Sequence, residues 1–209
     1  MIRLLVADDH AIVRKGIEQI IEETDDIAVA DQARNGQEVL EKVLRNDYDL
    51  VLLDISMPGR DGLEILKELK NQRPKLNVLM LSMYPEEQYA VRALRSGASG
   101  YLTKESAPDE LIAAIRKVSN GHRYVSASLA EKLAALLKDH GDQPLHERLS
   151  DREYRIMCMI ASGKSQTEIA DELSLSIKTV STYRARLLKK MQMKKNAEIT
   201  RYALENKLL

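Results

Sequence analysis

Short apolar runs alternate with helical segments five times through about residue 120. The runs are candidate strands, and they comprise Arg3–Ala7, Ile27–Ala33, Leu50–Asp54, Asn77–Ser82 and Gly100–Thr103. Between them apolar residues recur every three or four positions, as on one face of a helix. Strands of the Leu-Leu-Val or Val-Leu-Leu type, such as the first and third, lack polar alternation, which is typical of strands buried on both faces. We therefore predict an α/β fold with a five-stranded parallel sheet, helices on both sides and right-handed crossovers.

The C-terminal part of the chain lacks strand-like runs and predicts helices with marked N-terminal caps. Ser150 with Glu153, and Ser165 with Glu168, fit the capping box, in which each side chain satisfies a free backbone donor of the other residue. Ser176 can cap a third helix, and a fourth follows near the C-terminus. A tight turn between the second and third helices is typical of a helix-turn-helix domain.

The segment between these regions has the pattern of a linker. It contains a short helical stretch over residues 129–138, with a capping box at Ser128 and Glu131, and then a polar stretch. We therefore divide the chain into an α/β domain over residues 1–121, a linker over 122–146 and an all-α domain over 147–209.

The formal net charge of zero conceals opposite charges in the two halves. Residues 147–209 contain 13 Lys and Arg against 8 Asp and Glu, a net of +5, whereas residues 1–146 contain 19 against 24, a net of −5. Between Leu173 and Ala197 there are seven basic residues and no acidic one. This excess favours a polyanion such as DNA as partner over the alternative, a merely solvated helix face.

Three features predict a cytoplasmic location without membrane attachment. No uncharged stretch approaches the roughly 18 residues that span a bilayer, and the N-terminus lacks a signal-peptide pattern. Cys158 is the only cysteine, so no internal disulfide can form. We therefore expect the protein in the reducing cytoplasm.

Three carboxylates lie at the ends of two candidate strands. Asp8 and Asp9 follow the first strand, and Asp54 closes the third. In a sheet of order 2-1-3-4-5 these ends are neighbours at the edge where ligands bind in such folds. Because like charges repel at close range, we expect a cation there, and the hard, oxygen-seeking Mg²⁺ suits carboxylate ligands.

A serine and a lysine end two further strands. Ser82 and Lys104 would face the same edge of the sheet, where with Mg²⁺ they could bind a phosphoryl group. The Asp54 carboxylate could accept that group as an aspartyl phosphate. Any one of these residues alone would more often be a solvated strand end, but this combination on four strands is hard to obtain by chance. A flavin phosphate is disfavoured, because Asp8 and Asp9 would repel it.

Residues 1–120 resemble the receiver domain of a two-component response regulator. The matching segments are Val6-Ala-Asp-Asp-His10, Leu52-Leu-Asp54, Met57-Pro-Gly-Arg-Asp-Gly62, Leu79-Met-Leu-Ser82 and Gly100-Tyr-Leu-Thr-Lys104. The resemblance implies that Asp54 is the phosphoacceptor and that Lys104 contacts the phosphate. It also implies a Mg²⁺ site formed by the carboxylates of Asp8, Asp9 and Asp54 and the backbone carbonyl of Ser56.

The same resemblance implies that Ser82 and Tyr101 are switch residues. A phosphoryl group adds about −1.5 to −2 charge and three acceptor oxygens. Ser82 would move toward it, and Tyr101 would rotate into the vacated space, which biases a two-state surface around the fourth and fifth helices. The alternative for Tyr101 is a half-buried strand residue with its hydroxyl in water.

The third helix of the C-terminal domain combines an apolar face with a basic, polar one. Val180, Leu187 and Met191 share the face that would pack on the preceding helices. The opposite face would then enter the major groove, as the second helix of a helix-turn-helix does. Side chains at the N-terminus of this helix can bind phosphates, and those at its centre can reach base edges.

This region resembles the LuxR-type helix-turn-helix of NarL/FixJ family regulators. The matching segments include Leu149-Ser-Asp-Arg-Glu153, Gly163-Lys-Ser, Glu168-Ile-Ala170, Lys178-Thr-Val180 and Leu187-Leu-Lys-Lys-Met191. The resemblance implies base-facing positions at Ser181, Thr182 and Ala185, and phosphate contacts at Lys178, Thr179 and Arg186. Lys189 and Lys190 of the basic run complete the predicted DNA-contacting set.

Together the two resemblances imply a phosphorylation-controlled transcription regulator. A sensor histidine kinase would phosphorylate Asp54, after which the protein would form a homodimer and bind half-sites in double-stranded promoter DNA. We expect no enzymatic activity beyond self-phosphorylation and slow self-dephosphorylation. Two alternatives stay open: a Mg²⁺ phosphohydrolase that uses an aspartyl phosphate, and a constitutive DNA-binding protein whose N-terminal domain only mediates dimer contacts.

Overall fold

Two compact units make up the chain. A computed structural model describes residues 1–138 and 144–209, of which residues 132 and 135–138 are described by their backbone only. Its contacts divide the chain into Met1–Ala134 and Ala135–Leu209. The predicted linker over residues 122–146 is therefore shared between the units, and its residues 139–143 lie outside the described part.

The first unit is built on a five-stranded parallel sheet in the order β2-β1-β3-β4-β5. This confirms the predicted fold and strand order. The strands are β1 (Ile2–Ala7), β2 (Ile27–Ala33), β3 (Leu50–Asp54), β4 (Asn77–Ser82) and β5 (Gly100–Thr103). β3 is buried along its whole length, as expected for a central strand without polar alternation.

Helices connect the strands and cover both faces of the sheet. They are α1 (Ala11–Glu22), α2 (Gly36–Arg45), α3 (Gly62–Gln72), α4 (Glu86–Arg95) and α5 (Pro108–Ser119). On one face Leu52 and its strand neighbours pack with Ile17 of α1 and Ile115 of α5. Leu53 and Met80 point to the other face, since side chains alternate along a strand, and they are equally buried.

The chain after α5 pairs with the edge of the sheet before it enters the linker helix α6 (Ala127–Lys138). Tyr124 forms a parallel bridge with Gly100, and the Ser126 hydroxyl accepts a hydrogen bond from the backbone N–H of Leu129. The predicted start at residue 129 with a Ser128 cap is therefore wrong by two residues. The Ser128 hydroxyl instead donates to Glu86 of α4, a contact between elements distant in sequence.

The regular secondary structure in the described part of the second unit is entirely helical. After a short 3-10 helix (Leu145–Arg148) it contains α7 (Asp151–Ala161), α8 (Gln166–Glu172), α9 (Ile177–Lys190) and α10 (Asn196–Glu205). Both predicted capping boxes form at the N-termini of α7 and α8, and Ser176 caps α9. No helix in the described residues of either unit is long and apolar enough to cross a membrane.

Candidate metal centre and nucleic-acid interface

The parallel register of β1 and β3 brings two carboxylates together at the carboxyl edge of the sheet. Ala7 pairs with Leu53, so that Asp8 and Asp54 leave adjacent strands side by side. The Lys104 ammonium lies between them, 2.6 Å from Asp8 Oδ2 and 2.8 Å from Asp54 Oδ2. All three side chains are buried, with 6% or less of each exposed. The structure thus assembles these three predicted site residues into one cluster.

Backbone contacts hold Asp54 at the end of β3. The backbone N–H of Ser56 donates to Asp54 Oδ1 at 3.0 Å. α3 then begins directly against the strand end: Asp61 caps it by accepting from the N–H of Leu63, and the N–H of Gly62 donates to the carbonyl of Ile55. A Cβ at Gly62 would lie only 2.2 Å from the Asp54 carbonyl oxygen, so the close packing of α3 requires glycine here.

The acidic cluster contains more carboxylates than lysine ammonium groups. Asp8, Asp9 and Asp54 bring three carboxylates, while the Lys104 ammonium is shared between two of them. Burial raises the pKa of Asp54, because water no longer solvates its ionised form, and the nearby Lys104 only partly offsets this. Burial lowers the pKa of Lys104, but its two carboxylate partners outweigh that effect and raise it. Lys104 therefore stays protonated in this site, and a further cation would neutralise the remaining negative charge of the carboxylates.

The same cluster fits a divalent cation. Asp8, Asp9, His10 and Asp54 each offer one ligand atom, and these atoms lie within 4.8 Å of one another. Asp8 Oδ2 and Asp9 Oδ1 are buried and accept no well-aligned hydrogen bond from the described residues. Their nearest cationic groups are Lys104 Nζ at 2.6 Å and His10 Nδ1 at 2.9 Å, respectively. Carboxylate oxygens are the ligands that hard divalent cations prefer.

The two predicted switch residues are linked through the loop that follows β4. The hydroxyl of Ser82 accepts from the backbone N–H of Tyr84 at 3.0 Å, and the hydroxyl of Tyr101 donates to the carbonyl of Tyr84 at 2.8 Å. Both side chains are fully buried, and burial raises the pKa of the Tyr101 hydroxyl. The alternative of a half-buried Tyr101 with its hydroxyl in water is therefore wrong.

Two residues near the cluster escaped the sequence analysis. Arg14 of α1 is buried and donates to the backbone carbonyl of Asp8 at 2.7 Å. Its position three residues before Ile17, on the apolar face of α1, was a detectable signal, because an arginine is rarely buried without a partner. Gly62 was noted only as part of a motif, and its close approach to Asp54 depends on how α3 packs.

The basic helix α9 has the two faces that the sequence predicts. Val180, Leu187 and Met191 are buried. Most of the predicted DNA-contacting residues are exposed, namely Lys178, Ser181, Thr182, Ala185, Arg186, Lys189 and Lys190. Thr179 is partly buried and its hydroxyl contacts Ser176. The Lys190 ammonium donates to Glu153 of α7 at 2.6 Å, so it also joins two helices of the unit.

Comparisons with known protein families match two separate parts of the chain. Residues 4–116 match the response regulator receiver domain, and residues 147–203 match the bacterial regulatory proteins of the luxR family. The acidic cluster thus lies in the receiver match, and α9 lies in the luxR match.

Full-length relatives combine both parts. The response regulator UvrY of Escherichia coli K12 is 35% identical over 209 residues, which is 100% of this chain and 96% of UvrY. GacA of Pseudomonas protegens is 38% identical over 207 residues, covering 99% of this chain and 97% of GacA. The structure of Salmonella enterica serovar Typhimurium RcsB bound to the rprA promoter in the presence of the phosphomimetic BeF3⁻ matches with a TM-score of 0.66 and 27% identity, over 97% of this chain and 98% of RcsB. The chain belongs to the NarL/FixJ family of DNA-binding two-component response regulators, which regulate transcription.

Proposed function

We propose that this regulator accepts a phosphoryl group from the phosphohistidine of a sensor kinase onto Asp54, in the cytoplasm and with Mg²⁺ bound. The observation that carries the proposal is the buried group of Asp8, Asp54 and Lys104 at one edge of the sheet. The carboxylates of Asp8, Asp9 and Asp54 and the backbone carbonyl of Ser56 would hold the ion. When bound, Mg²⁺ would neutralise charge on the phosphoryl oxygens as they are transferred.

In the transfer itself, one oxygen of the Asp54 carboxylate attacks phosphorus as the nitrogen–phosphorus bond of the donor breaks. The electron pair of that bond stays on the histidine nitrogen, and the mixed anhydride forms on Asp54. The ammonium of Lys104, already 2.8 Å from Asp54 Oδ2, is placed to pair with a phosphoryl oxygen. The second carboxylate oxygen is kept in orientation by the N–H of Ser56.

The hydroxyl of Ser82 connects this reaction to the surface of the unit. In the structure it accepts from the Tyr84 N–H, and the Tyr84 carbonyl in turn accepts from Tyr101. A phosphoryl oxygen on Asp54 would accept a hydrogen bond from the Ser82 O–H and draw the hydroxyl toward it. This movement would break the contact with the Tyr84 N–H and rearrange the Tyr84 loop and the α4 helix that follows it. This altered surface is where we place the contact of a homodimer formed on activation.

The exposed face of α9 would bind double-stranded promoter DNA. Ser181, Thr182 and Ala185 would face bases, and the predicted cationic residues would neutralise backbone phosphates. A dimer would present two such helices to two half-sites.

The phosphohydrolase alternative lacks support at the position that it needs most. A hydrolase that uses an aspartyl phosphate requires a second acid to activate water, whereas the residue two positions after Asp54 is Ser56, whose N–H only orients the carboxylate. We therefore propose no turnover beyond self-phosphorylation and slow self-dephosphorylation. Sustained release of phosphate from an ester substrate would favour the alternative.

Phosphorylation is tested by incubating the full chain with a small acyl phosphate and Mg²⁺ and separating the phosphorylated form on a phosphate-affinity gel. Asp54→Asn should abolish labelling. Asp47→Asn is the matched control, since this carboxylate is 85% exposed and precedes β3 at the opposite edge of the sheet. Persistent labelling of Asp54→Asn would refute the assignment of the phosphoacceptor.

DNA binding is tested by titrating a promoter fragment at several salt concentrations, with and without phosphodonor. Arg186→Ala should weaken binding and reduce the slope of log K against log salt by about 0.9, because one phosphate contact and its counterion are lost. Arg201→Ala on α10, where the side chain is 76% exposed, is the control. An unchanged slope for Arg186→Ala would rule out that contact, and equal affinity with and without phosphodonor would favour the constitutive alternative.

A further inference from the structure

Arg14 is a buried cation placed behind the acidic cluster. It lies on α1 and is only 7% exposed. One terminal nitrogen of its guanidinium donates to the backbone carbonyl of Asp8 at 2.7 Å, and its Nε donates to the side-chain carbonyl of Gln32 on β2 at 3.2 Å. Burying a guanidinium cation costs free energy because it loses its hydration, unless hydrogen bonds such as these offset that cost.

The carbonyl that Arg14 contacts belongs to the peptide joining Asp8 to Asp9. That peptide is planar, so fixing its oxygen restricts the directions in which the Cα–Cβ bonds of both residues point. The Asp8 N–H is held as well, because it donates to the carbonyl of Ala33 at 3.1 Å. Asp8 Oδ1 accepts from the N–H of His10 at 2.8 Å, Asp8 Oδ2 faces the Lys104 ammonium at 2.6 Å, and the buried Asp9 Oδ1 accepts no well-aligned hydrogen bond from the described residues.

We propose that Arg14 is a positioning residue for the cation site: by holding the Asp8–Asp9 peptide, it aims both carboxylates at the ion. It would touch neither the ion nor the phosphoryl group. The inference rests on the proposed function, since it presumes that the acidic cluster binds a divalent cation. Residues that orient metal ligands from outside typically change metal affinity by 10–100-fold when removed.

The competing explanation is that Arg14 only fastens α1 to β2. In that case the bond to Gln32 would matter as much as the bond to Asp8, and its loss would lower stability without changing the affinity for metal. The two contacts can be separated, because Gln32→Met removes one acceptor and leaves the donation to the Asp8 carbonyl in place.

The experiment titrates the unphosphorylated full chain with Mn²⁺ alone, followed by electron paramagnetic resonance, and records urea unfolding of each variant. Arg14→Met, which keeps the length of the side chain but no donor, should raise the Kd for Mn²⁺ by about 10–100-fold. Arg14→Lys should restore part of the affinity, because one ammonium N–H can still reach the carbonyl. Gln32→Met should bind Mn²⁺ with a Kd close to that of the wild type, even where it unfolds at lower urea.

A Kd for Arg14→Met equal to that of the wild type would overturn the inference, and so would a loss in Gln32→Met as large as in Arg14→Met. Should Arg14→Met not fold, Arg14→Leu, which also has no donor, carries the same expectation and the same refutation. A wild-type chain that binds no Mn²⁺ would instead overturn the proposed metal site. Failure of the inference is thereby distinguishable from failure of the function on which it rests.

Discussion

Gly62→Ala is the smallest change that tests how tightly the phosphoacceptor is packed. The added Cβ would lie 2.2 Å from the Asp54 carbonyl oxygen, 2.7 Å from Ile55 Cα and 3.0 Å from the Asp54 carbonyl carbon, against 3.4 Å or more in an ordinary contact. All three neighbours are backbone atoms, so no side-chain rotation can relieve the overlap. Either α3 must move away or the end of β3, which carries Asp54, must shift.

Two effects of opposite sign decide the stability of this variant. Alanine is favoured over glycine by about 0.5–1 kcal/mol in the middle of a helix, and this is an upper bound at Gly62, the first residue of α3. Overpacking in a rigid interior costs about 1–3 kcal/mol. We expect overpacking to win, with a net loss of roughly 1–2 kcal/mol in the free energy of unfolding. A displacement of Asp54 by about 1 Å should also slow its phosphorylation, on the order of 10²-fold.

The assay combines urea unfolding followed by circular dichroism with the rate of phosphorylation by a small acyl phosphate in Mg²⁺. Gly16→Ala is the matched control, because Gly16 also lies in a helix but a Cβ there would meet nothing within 4 Å. It should gain about 0.5–1 kcal/mol and keep the wild-type rate. If Gly62→Ala were as stable as Gly16→Ala and reacted at the wild-type rate, the packing argument would be refuted.

Three further predictions concern single contacts. Burial alone would raise the pKa of Glu153, but hydrogen bonds from Lys190 and Ser150 outweigh it and hold this pKa below its usual value. The ionised carboxylate therefore stabilises the fold above its unfolded-state pKa, and this stabilisation is lost as the pH falls through the lower folded-state pKa. Glu153→Gln should remove this dependence, so that the unfolding midpoint changes less with pH in the acidic range. Ser165→Ala removes the cap of α8 and should cost about 1 kcal/mol in thermal unfolding. Tyr101→Phe removes a buried donor to a backbone carbonyl and should lower the free energy of unfolding by about 0.5–1.5 kcal/mol in urea titration; an unchanged value would contradict that hydrogen bond.

The strands and the helix caps could be predicted almost residue by residue. Four of the five strands begin and end at the predicted residues. β3 and β4 follow continuous apolar runs that are buried on both faces, whereas β2 contains Asp31 and Gln32 and is only partly buried. The boxes at Ser150 and Ser165 are local, since each needs only residues three positions apart. The predicted cap of the linker helix was wrong because the local sequence suits Ser126 and Ser128 equally. Both hydroxyls contact Glu86, about forty residues away, and such a contact is not visible in the neighbouring residues.

The residues of the candidate site also differ in how far the sequence predicts them. Its acids and Lys104 stand at strand ends, and the carboxyl ends of parallel strands meet at one edge whatever the details of packing. Arg14 and Gly62 lie on helices, where the neighbour that a side chain meets depends on how each helix settles against the sheet. The position of Arg14 in the sequence was nevertheless informative. It shares a face of α1 with Ile17 and Ile21, where burying an unpaired charge would cost free energy. A charged residue on the apolar face of a helix therefore indicates a buried polar partner without identifying it, and Arg14 meets both the backbone carbonyl of Asp8 and the side chain of Gln32 on β2.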